Sequence, residues 1–160
     1  MAHKNIYEMN YRRLEELLGQ PPEEIEPAKT YRLRSPSECF MDLIVEKLSP
    51  CPTIGATLIS LAHYFTSHGD LCQDPEVVVR VFPPGSEDHR ELAPSTDCRH
   101  GRMEAILFQQ AIPSVFQAVY PEPGRYSPRL KRDLNEFLTT WLRNLKSQGH
   151  RLLDEGAGEE

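Results

Sequence analysis

Apolar residues recur at helical spacing near both ends of the chain, and this pattern predicts two helices. The first covers residues 5–18 and ends at Gly19, a residue suited to the left-handed position after a helix. The second begins at Ser127 and Pro128, which are favoured at the N-cap and at the first helical position, and it ends at Gly149. Its apolar stripe, which predicts a large contribution to the core, consists of Leu130, Leu134, Phe137, Leu138, Trp141, Leu142 and Leu145.

Between the helices the apolar residues alternate with polar ones or form short runs, as is typical of β-strands. The segments with this pattern are residues 39–48, 56–66, 76–82, 103–110 and 114–120, with residues 30–34 as a further short candidate. Most of the connections are short, which favours antiparallel neighbours arranged as a meander. The predicted fold class is therefore α+β, with a mostly antiparallel sheet of about five strands packed against an N-terminal helix and a long C-terminal helix.

The length of 160 residues fits a single domain with its own core, which we place at residues 1–153. Residues 20–29 are rich in proline and glutamate and are expected to connect the first helix to the sheet. Residues 83–102 begin with Pro-Pro-Gly and continue without periodicity, which predicts a mobile loop. Residues 154–160 are predicted to be a disordered tail.

The composition argues against several classes of protein. A net charge of −6 disfavours bulk binding to nucleic-acid phosphates, which requires a basic face. No apolar run reaches the roughly 20 residues that span a membrane, and the N-terminus lacks the apolar stretch of a signal peptide. The four cysteines show no CxxC spacing and are expected to be reduced. We therefore expect a cytoplasmic protein without membrane contact, and no cofactor is assigned because no phosphate-binding loop or nucleophile motif is present.

The densest group of chemically versatile side chains surrounds a Gly-Asp turn and comprises His63, His68, Asp70, Asp74 and Glu76. Two interpretations are open. In the first, Asp70 bonds nearby backbone amides of a turn and His63 is a hydrogen-bonded core residue. In the second, the imidazole and carboxylate groups form a divalent-cation site or a general acid–base site. The spacing matches no metal motif, so no metal ligand is assigned.

Two adjacent glutamines, Gln109 and Gln110, end a predicted strand and could recognise a ligand or a peptide amide. With these two residues, the candidate binding site consists of His63, Tyr64, Asp70, Asp74, Glu76, Gln109 and Gln110.

The C-terminal region is locally basic. Arg129, Arg132 and Arg143 lie on the solvent side of the second predicted helix. They indicate either an ordinary solvated face or a face that docks an acidic partner.

Three blocks of the sequence resemble, in order, a family of small uncharacterised bacterial and phage proteins that are often carried on mobile elements and are typed as a domain of unknown function. The blocks are LAHYFTSHGDLCQDPEVVVRVF, ILFQQAIPSVFQAVY and YSPRLKRDLNEFLTTWLRNLKSQGH. The matching positions are Ala62, His63, Tyr64, Gly69, Asp70, Asp74, Pro75, Glu76, Gln109, Gln110, Trp141, Asn144, Gln148 and Gly149. This chain has His68 where the family tends to have Asn, and Ala111 where we would expect an acidic residue. The resemblance implies no activity, so no catalytic residue is assigned from it.

These patterns predict an uncharacterised cytoplasmic binding or accessory protein whose partner is a protein or a small molecule. The resemblance implies that it is associated with mobile elements. The alternative is a metal-dependent hydrolase or a related enzyme centred on His63, Asp70, Asp74 and Glu76. The oligomeric state is not predicted.

Overall fold

The computed structural model describes residues 5–48, 57–85, 100–122 and 124–153. Two helices, α1 (Ile6–Leu18) and α2 (Pro128–Ser147), flank the sheet in the chain, and one turn of 3-10 helix follows α1 at Pro22–Glu24. The strands are β1 (Thr30–Arg34), β2 (Leu43–Leu48), β3 (Thr57–Ser67), β4 (Asp70–Phe82), β5 (Arg102–Gln110), β6 (Val115–Ala118) and β7 (Arg151–Leu152).

Both predicted helices are confirmed. Gly19 and Ser127 lie at their ends as the sequence indicates, whereas Asn5, which we placed inside the first helix, is its N-cap. The Asn5 side chain accepts a hydrogen bond from the Tyr7 amide at 2.8 Å, and α1 ends at Gly19, whose φ is +74°. The Ser127 hydroxyl oxygen accepts from the Leu130 amide at 3.2 Å and begins α2. Capping satisfies backbone amides that have no partner within the helix.

The strands form one sheet in the order β6-β5-β4-β3-β2-β1-β7, and every neighbouring pair is antiparallel. The α+β class, the antiparallel sheet and its meander order from β1 to β6 are confirmed. The predicted number of about five strands is wrong, because the described residues form a sheet of seven. The candidate at residues 30–34 is a strand, and β7 adds two residues that pair with Leu33 and Arg34.

The segment between the predicted strands at residues 56–66 and 76–82, around the predicted Gly-Asp turn, is mostly strand. Only His68 and Gly69 separate β3 from β4, and both have positive φ, at 53° and 85°. Strand β4 therefore begins at Asp70 rather than at residue 76. It continues through the Asp74–Pro75 peptide because the pairing of β3 with β4 shifts register between Ala62 and Tyr64 and accommodates an irregularity there.

The two faces of the sheet differ in what they contact. Leu33, Val45, Leu61 and Val79 point to one face and pack with α1 and α2 in a single apolar core. We call this the helix-covered face. The alternate residues of β1 to β3, and of β4 as far as Glu76, point away from the helices, and we call their side the open face.

Some predictions fall beyond the part of the chain that the structure describes. Of the predicted loop at residues 83–102, residues 86–99 lie outside it, and residue 102 already belongs to β5. The predicted tail at residues 154–160 also lies outside it. Within the described ranges, neither helix is long and apolar enough to cross a bilayer.

Candidate functional site

The sheet register separates the candidate residues that are neighbours in sequence. His63 alternates with Ile59 and Leu61 and points to the helix-covered face, whereas Glu76 pairs with Ala62 and points to the open face. The predicted cluster therefore divides between two sides of the sheet.

His63 is held by two hydrogen bonds in the core. Its Nδ1 lies 2.8 Å from the Asp42 carbonyl oxygen, and the Trp141 Nε1–H donates to its Nε2 at 3.1 Å. Because a carbonyl can only accept and an indole N–H can only donate, the ring is neutral with its proton on Nδ1. Both nitrogens are engaged, so His63 offers no free lone pair to a metal ion.

The two aspartates of the predicted site, Asp70 and Asp74, make no side-chain hydrogen bond to its other members within the described residues. Asp70 is exposed at the start of β4, and its carboxylate makes no hydrogen bond or ion pair within the described residues. The expectation that Asp70 bonds nearby amides is therefore not met there. Asp74 lies near enough to His63 for its charge to raise the pKa of that ring, but it accepts no side-chain hydrogen bond in the described part.

Gln110 also lies apart from the other candidates. Its Nε2 donates to the Pro113 carbonyl at 3.1 Å and closes the hairpin between β5 and β6. This contact gives Gln110 a local structural role.

The geometry offers no support for the metal-dependent alternative. Among the residues that the structure describes, no three His, Cys, Asp or Glu side chains converge so as to hold a metal ion. His63 and Glu76, two of the four proposed ligands, lie on opposite faces.

The open face does bring together three of the predicted residues, Tyr64, Glu76 and Gln109. The Ser60 hydroxyl donates to Glu76 Oε2 at 2.5 Å, and Gln109 Nε2 donates to Glu76 Oε1 at 2.5 Å. Burial raises the pKa of the Tyr64 phenol, and the charges of Glu76 and Glu46 raise it further. Two carboxylates therefore lie close to one tyrosine, and one of them is fixed in orientation.

Register places these groups in rows across the open face. The row that contains Glu76 consists, from β1 to β6, of Arg32, Ile44, Ala62, Glu76, Gln109 and Phe116. The adjacent row includes Thr30, Glu46 and Ser60, and the Thr30 hydroxyl donates to Glu46 at 3.0 Å. Phe116 ends its row at the edge strand and is 64% exposed.

A groove of about 510 Å³ opens onto this face beside Tyr64. Its lining residues are Thr30, Arg32, Met41, Asp42, Ile44, Glu46, Tyr64 and Leu71. Within it, Asp42 accepts from Arg32 at 2.9 Å and from Arg34 at 2.9 Å. Partial burial raises the pKa of Asp42, but the hydrogen bonds from Arg34 and Arg32 outweigh it and bring the pKa below its ordinary value. Asp42 thus offsets one of the two arginine charges, and within the described residues Glu46 and Glu76 have no lysine or arginine at ion-pair distance.

Ser60 and Glu46 were not predicted to be part of this group. The signal for Ser60 was present, because it alternates with Ile59 and Leu61 and must share a face with Tyr64. Glu46 could be joined to Ser60 only through the pairing of β2 with β3, which the sequence does not specify.

A buried ionic group on β4 and β5 was also missed. Arg80 Nε donates to Glu104 Oε1 at 2.7 Å, the Tyr120 hydroxyl donates to Glu104 Oε2 at 2.6 Å, and Lys131 Nζ lies 3.6 Å from Glu104 Oε2. Burial, with the Glu104 charge as the second cause, raises the pKa of the nearby Tyr7 to about 12. We interpret this group as structural, because its carboxylate oxygens are both engaged and the ion pair is almost fully buried.

Comparison with known proteins identifies a family but no activity. No curated protein and no solved structure matches the chain. A family model described as a domain of unknown function, DUF6908, matches residues 10–151. This range includes all seven strands except the last residue of β7, together with α2 and most of α1. The chain therefore belongs to the DUF6908 family, whose function is not known.

Proposed function

We propose that this protein is a binding domain whose open face takes a positively charged, extended segment of a partner protein. The observation that carries the proposal is the pair of carboxylates Glu46 and Glu76 beside Tyr64. Within the described residues, neither glutamate has a lysine or arginine at ion-pair distance. Two half-buried carboxylates without a counter-ion leave a local negative potential that a cation can satisfy.

Glu76 has acceptor capacity left for such a cation. Each carboxylate oxygen carries two lone pairs, and Ser60 and Gln109 each use one. The two donors also fix the orientation of the carboxylate, so that little side-chain entropy is lost on binding. A guanidinium or ammonium group would add a charge-assisted hydrogen bond to a preorganised acceptor.

The surrounding apolar side chains suit the remainder of a peptide. Leu71 is 70% exposed and lines the groove together with Ile44 and Met41. Such surface can cover the aliphatic stem of lysine or arginine, or an apolar neighbour in the partner segment. The Tyr64 ring adds a face on which a cation can stack.

The register gives the expected spacing of the charges. Glu46 and Glu76 lie two strands apart and are offset by two residues, which places their Cα atoms roughly 12 Å apart. An extended chain covers about 13 Å in four residues. We therefore expect two basic residues at positions i and i+4 of an extended partner.

The test is a titration with a synthetic nonapeptide that carries arginines four positions apart and leucine between them. Glu76→Gln should weaken its binding about tenfold or more, since a hydrogen bond to a charged group contributes about 1.5–3 kcal/mol. Glu136→Gln is the matched control, because it removes the same charge from an exposed position on α2. Calorimetry or fluorescence anisotropy gives the affinities.

Equal affinities for the Glu76→Gln and Glu136→Gln proteins would exclude the open face as the site. A peptide with glutamates in place of the arginines should not bind. Affinity for the arginine peptide should fall as salt rises from low to physiological concentration.

Two further properties belong to the same proposal. The resemblance to proteins of bacterial and phage mobile elements supports an origin of that kind for this chain, and the expected reduced cysteines support a cytoplasmic location. Within the described residues, Cys39 and Cys72 are free thiols.

A further inference from the structure

A second groove lies between the two helices, on a different layer from the open face. It has a volume of about 490 Å³ and is lined by Arg13, Glu16, Leu142, Arg143, Lys146 and Ser147. Three of these six residues are cationic and one is anionic, in a chain whose net charge is −6.

The single carboxylate of the groove is already engaged. Lys146 Nζ lies 3.1 Å from Glu16 Oε1. The guanidinium groups of Arg13 and Arg143 have no carboxylate at ion-pair distance among the described residues. The groove thus holds two guanidinium groups without a counter-ion.

The positive charges of Arg13 and Arg143 repel one another. Burial lowers the pKa of Arg13, and the charge of Arg143 lowers it further. The arginine side chain nevertheless stays protonated near neutral pH, so the repulsion persists there. An anion placed between the two groups would turn this repulsion into attraction.

The Arg13 guanidinium is held in place from within the protein. Its Nη1 donates to Asn10 Oδ1 at 3.2 Å, and Asn10 is fully buried. Asn10 is itself tied to α2, because the Thr139 hydroxyl donates to Asn10 Oδ1 at 3.1 Å and Asn10 Nδ2 donates to the Asn135 carbonyl at 3.4 Å. This support positions a charged group that would otherwise be free to turn towards solvent.

We propose that Arg13 and Arg143 form a binding site for a phosphate-type oxyanion in the groove between α1 and α2. The planar guanidinium matches the geometry of phosphate oxygens and can donate two parallel hydrogen bonds to them. The ligand is inorganic phosphate or a phosphate monoester, which a soluble metabolite and a lipid headgroup can equally supply. The site is independent of the open face, because it uses other residues and the opposite charge.

The first experiment measures the binding of inorganic phosphate to the full chain. Arginine side-chain NMR signals and the melting temperature are followed while phosphate replaces chloride at constant ionic strength. We expect a saturable shift of two arginine signals, together with a rise in melting temperature, in the wild-type protein. Both effects should be lost in Arg13→Gln and in Arg143→Gln. Arg129→Gln is the control, because this 86% exposed arginine on α2 lies outside the groove.

A second readout distinguishes a binding role from a structural one. Without phosphate and at low salt, Arg143→Gln should melt at the same temperature as the wild type or higher, because the substitution removes the repulsion with Arg13. An arginine needed for packing would instead lower the melting temperature in every buffer.

The proposal is overturned if phosphate stabilises wild type and Arg143→Gln equally, since that result reports the general exclusion of phosphate from protein surfaces. It is also overturned if Arg143→Gln melts lower than wild type in all buffers. Sedimentation with vesicles of phosphatidic acid and phosphatidylcholine identifies the source of the anion. Retention that depends on Arg143 supports a lipid headgroup, and saturation by free phosphate without retention supports a soluble ligand.

Discussion

At the residue scale, His63 contributes to the fold through its protonation state. The Asp42 carbonyl and the Trp141 indole N–H require the neutral ring, because a second proton would face the Trp141 donor and break that hydrogen bond. His63 thereby links β3, the residue before β2 and the middle of α2.

This arrangement makes stability depend on pH. Burial has the largest effect on the pKa of His63 and lowers it below its ordinary value of 6.5, and the charge of His150 lowers it further. The hydrogen bond to the Asp42 carbonyl and the charges of Asp74 and Asp42 act in the opposite direction and raise the pKa. The folded state therefore binds this proton less readily than the unfolded chain. Its contribution to stability is complete above about pH 6.5 and is lost as the pH falls through the lowered folded pKa.

The measurement is the urea midpoint between pH 8 and pH 5. His63→Gln should cost about 1–3 kcal/mol at pH 8, through the altered partners of Asp42 and Trp141, and should lose less stability than wild type on acidification. His100→Gln is the control, because His100 is exposed. Equal losses for wild type and His63→Gln would show that another group causes the pH dependence.

At the scale of elements, α2 contributes its side chains to the core along one stripe. Trp141 is 8% exposed. Its ring meets the His63 ring edge-on, with 5.3 Å between the ring centroids, and lies against the Phe137 ring, with 5.8 Å between the centroids. Trp141→Ala should cost about 3–5 kcal/mol, as for other large aromatic residues in cores. Trp141→Phe should cost about 1–2 kcal/mol, because it keeps a ring but leaves His63 Nε2 without its donor.

Guanidinium unfolding measures these costs. Phe137→Ala is the matched control on the same helix, because Phe137 is 38% exposed and should contribute less. If Trp141→Ala costs no more than Phe137→Ala, α2 is not anchored to the sheet through Trp141.

The helices could be predicted from the sequence because their signals are local. Capping residues and a 3.6-residue apolar period determine α1 and α2 without reference to the rest of the chain. Strand β7 could not be predicted, because two residues carry no period and owe their conformation to pairing with β1. The start of β4 was misplaced because Asp74–Pro75 has the composition of a turn, while tertiary pairing with β3 keeps it in the sheet.

The candidate site could be predicted only in part for a related reason. Tyr64, Glu76 and Gln109 were identified as chemically versatile residues, and they do share the open face. We grouped them with His63 because Tyr64 and Glu76 lie close to it in sequence. This grouping is wrong, because successive side chains of a strand point to opposite faces of the sheet. The partners that orient Glu76 come from β3 and β5, so only the sheet register reveals them.

At the scale of the molecule, the two proposed sites divide the charge of the protein between its layers. Among the residues that the structure describes, carboxylates without a counter-ion lie on the open face of the sheet, and guanidinium groups without one lie between the helices. A helix layer is about 10 Å thick, and the Debye length is about 8 Å at physiological salt. The two charge groups should therefore influence one another weakly under those conditions.

This separation predicts that phosphate and the arginine peptide bind together and independently. At 0.15 M ionic strength, which gives a Debye length of about 8 Å, saturating phosphate should change the peptide dissociation constant by less than about twofold, equivalent to under ~0.5 kcal/mol of coupling. At low salt, the bound anion adds negative charge to the protein and should strengthen peptide binding slightly. Calorimetric titration of the peptide with and without phosphate, at matched ionic strength, measures the coupling. Arg143→Gln serves as the control, because any effect of phosphate that persists in this variant arises from phosphate binding to the peptide itself. A large coupling that Arg143→Gln removes would contradict independence and would mean that α2 transmits the binding of one ligand to the site of the other.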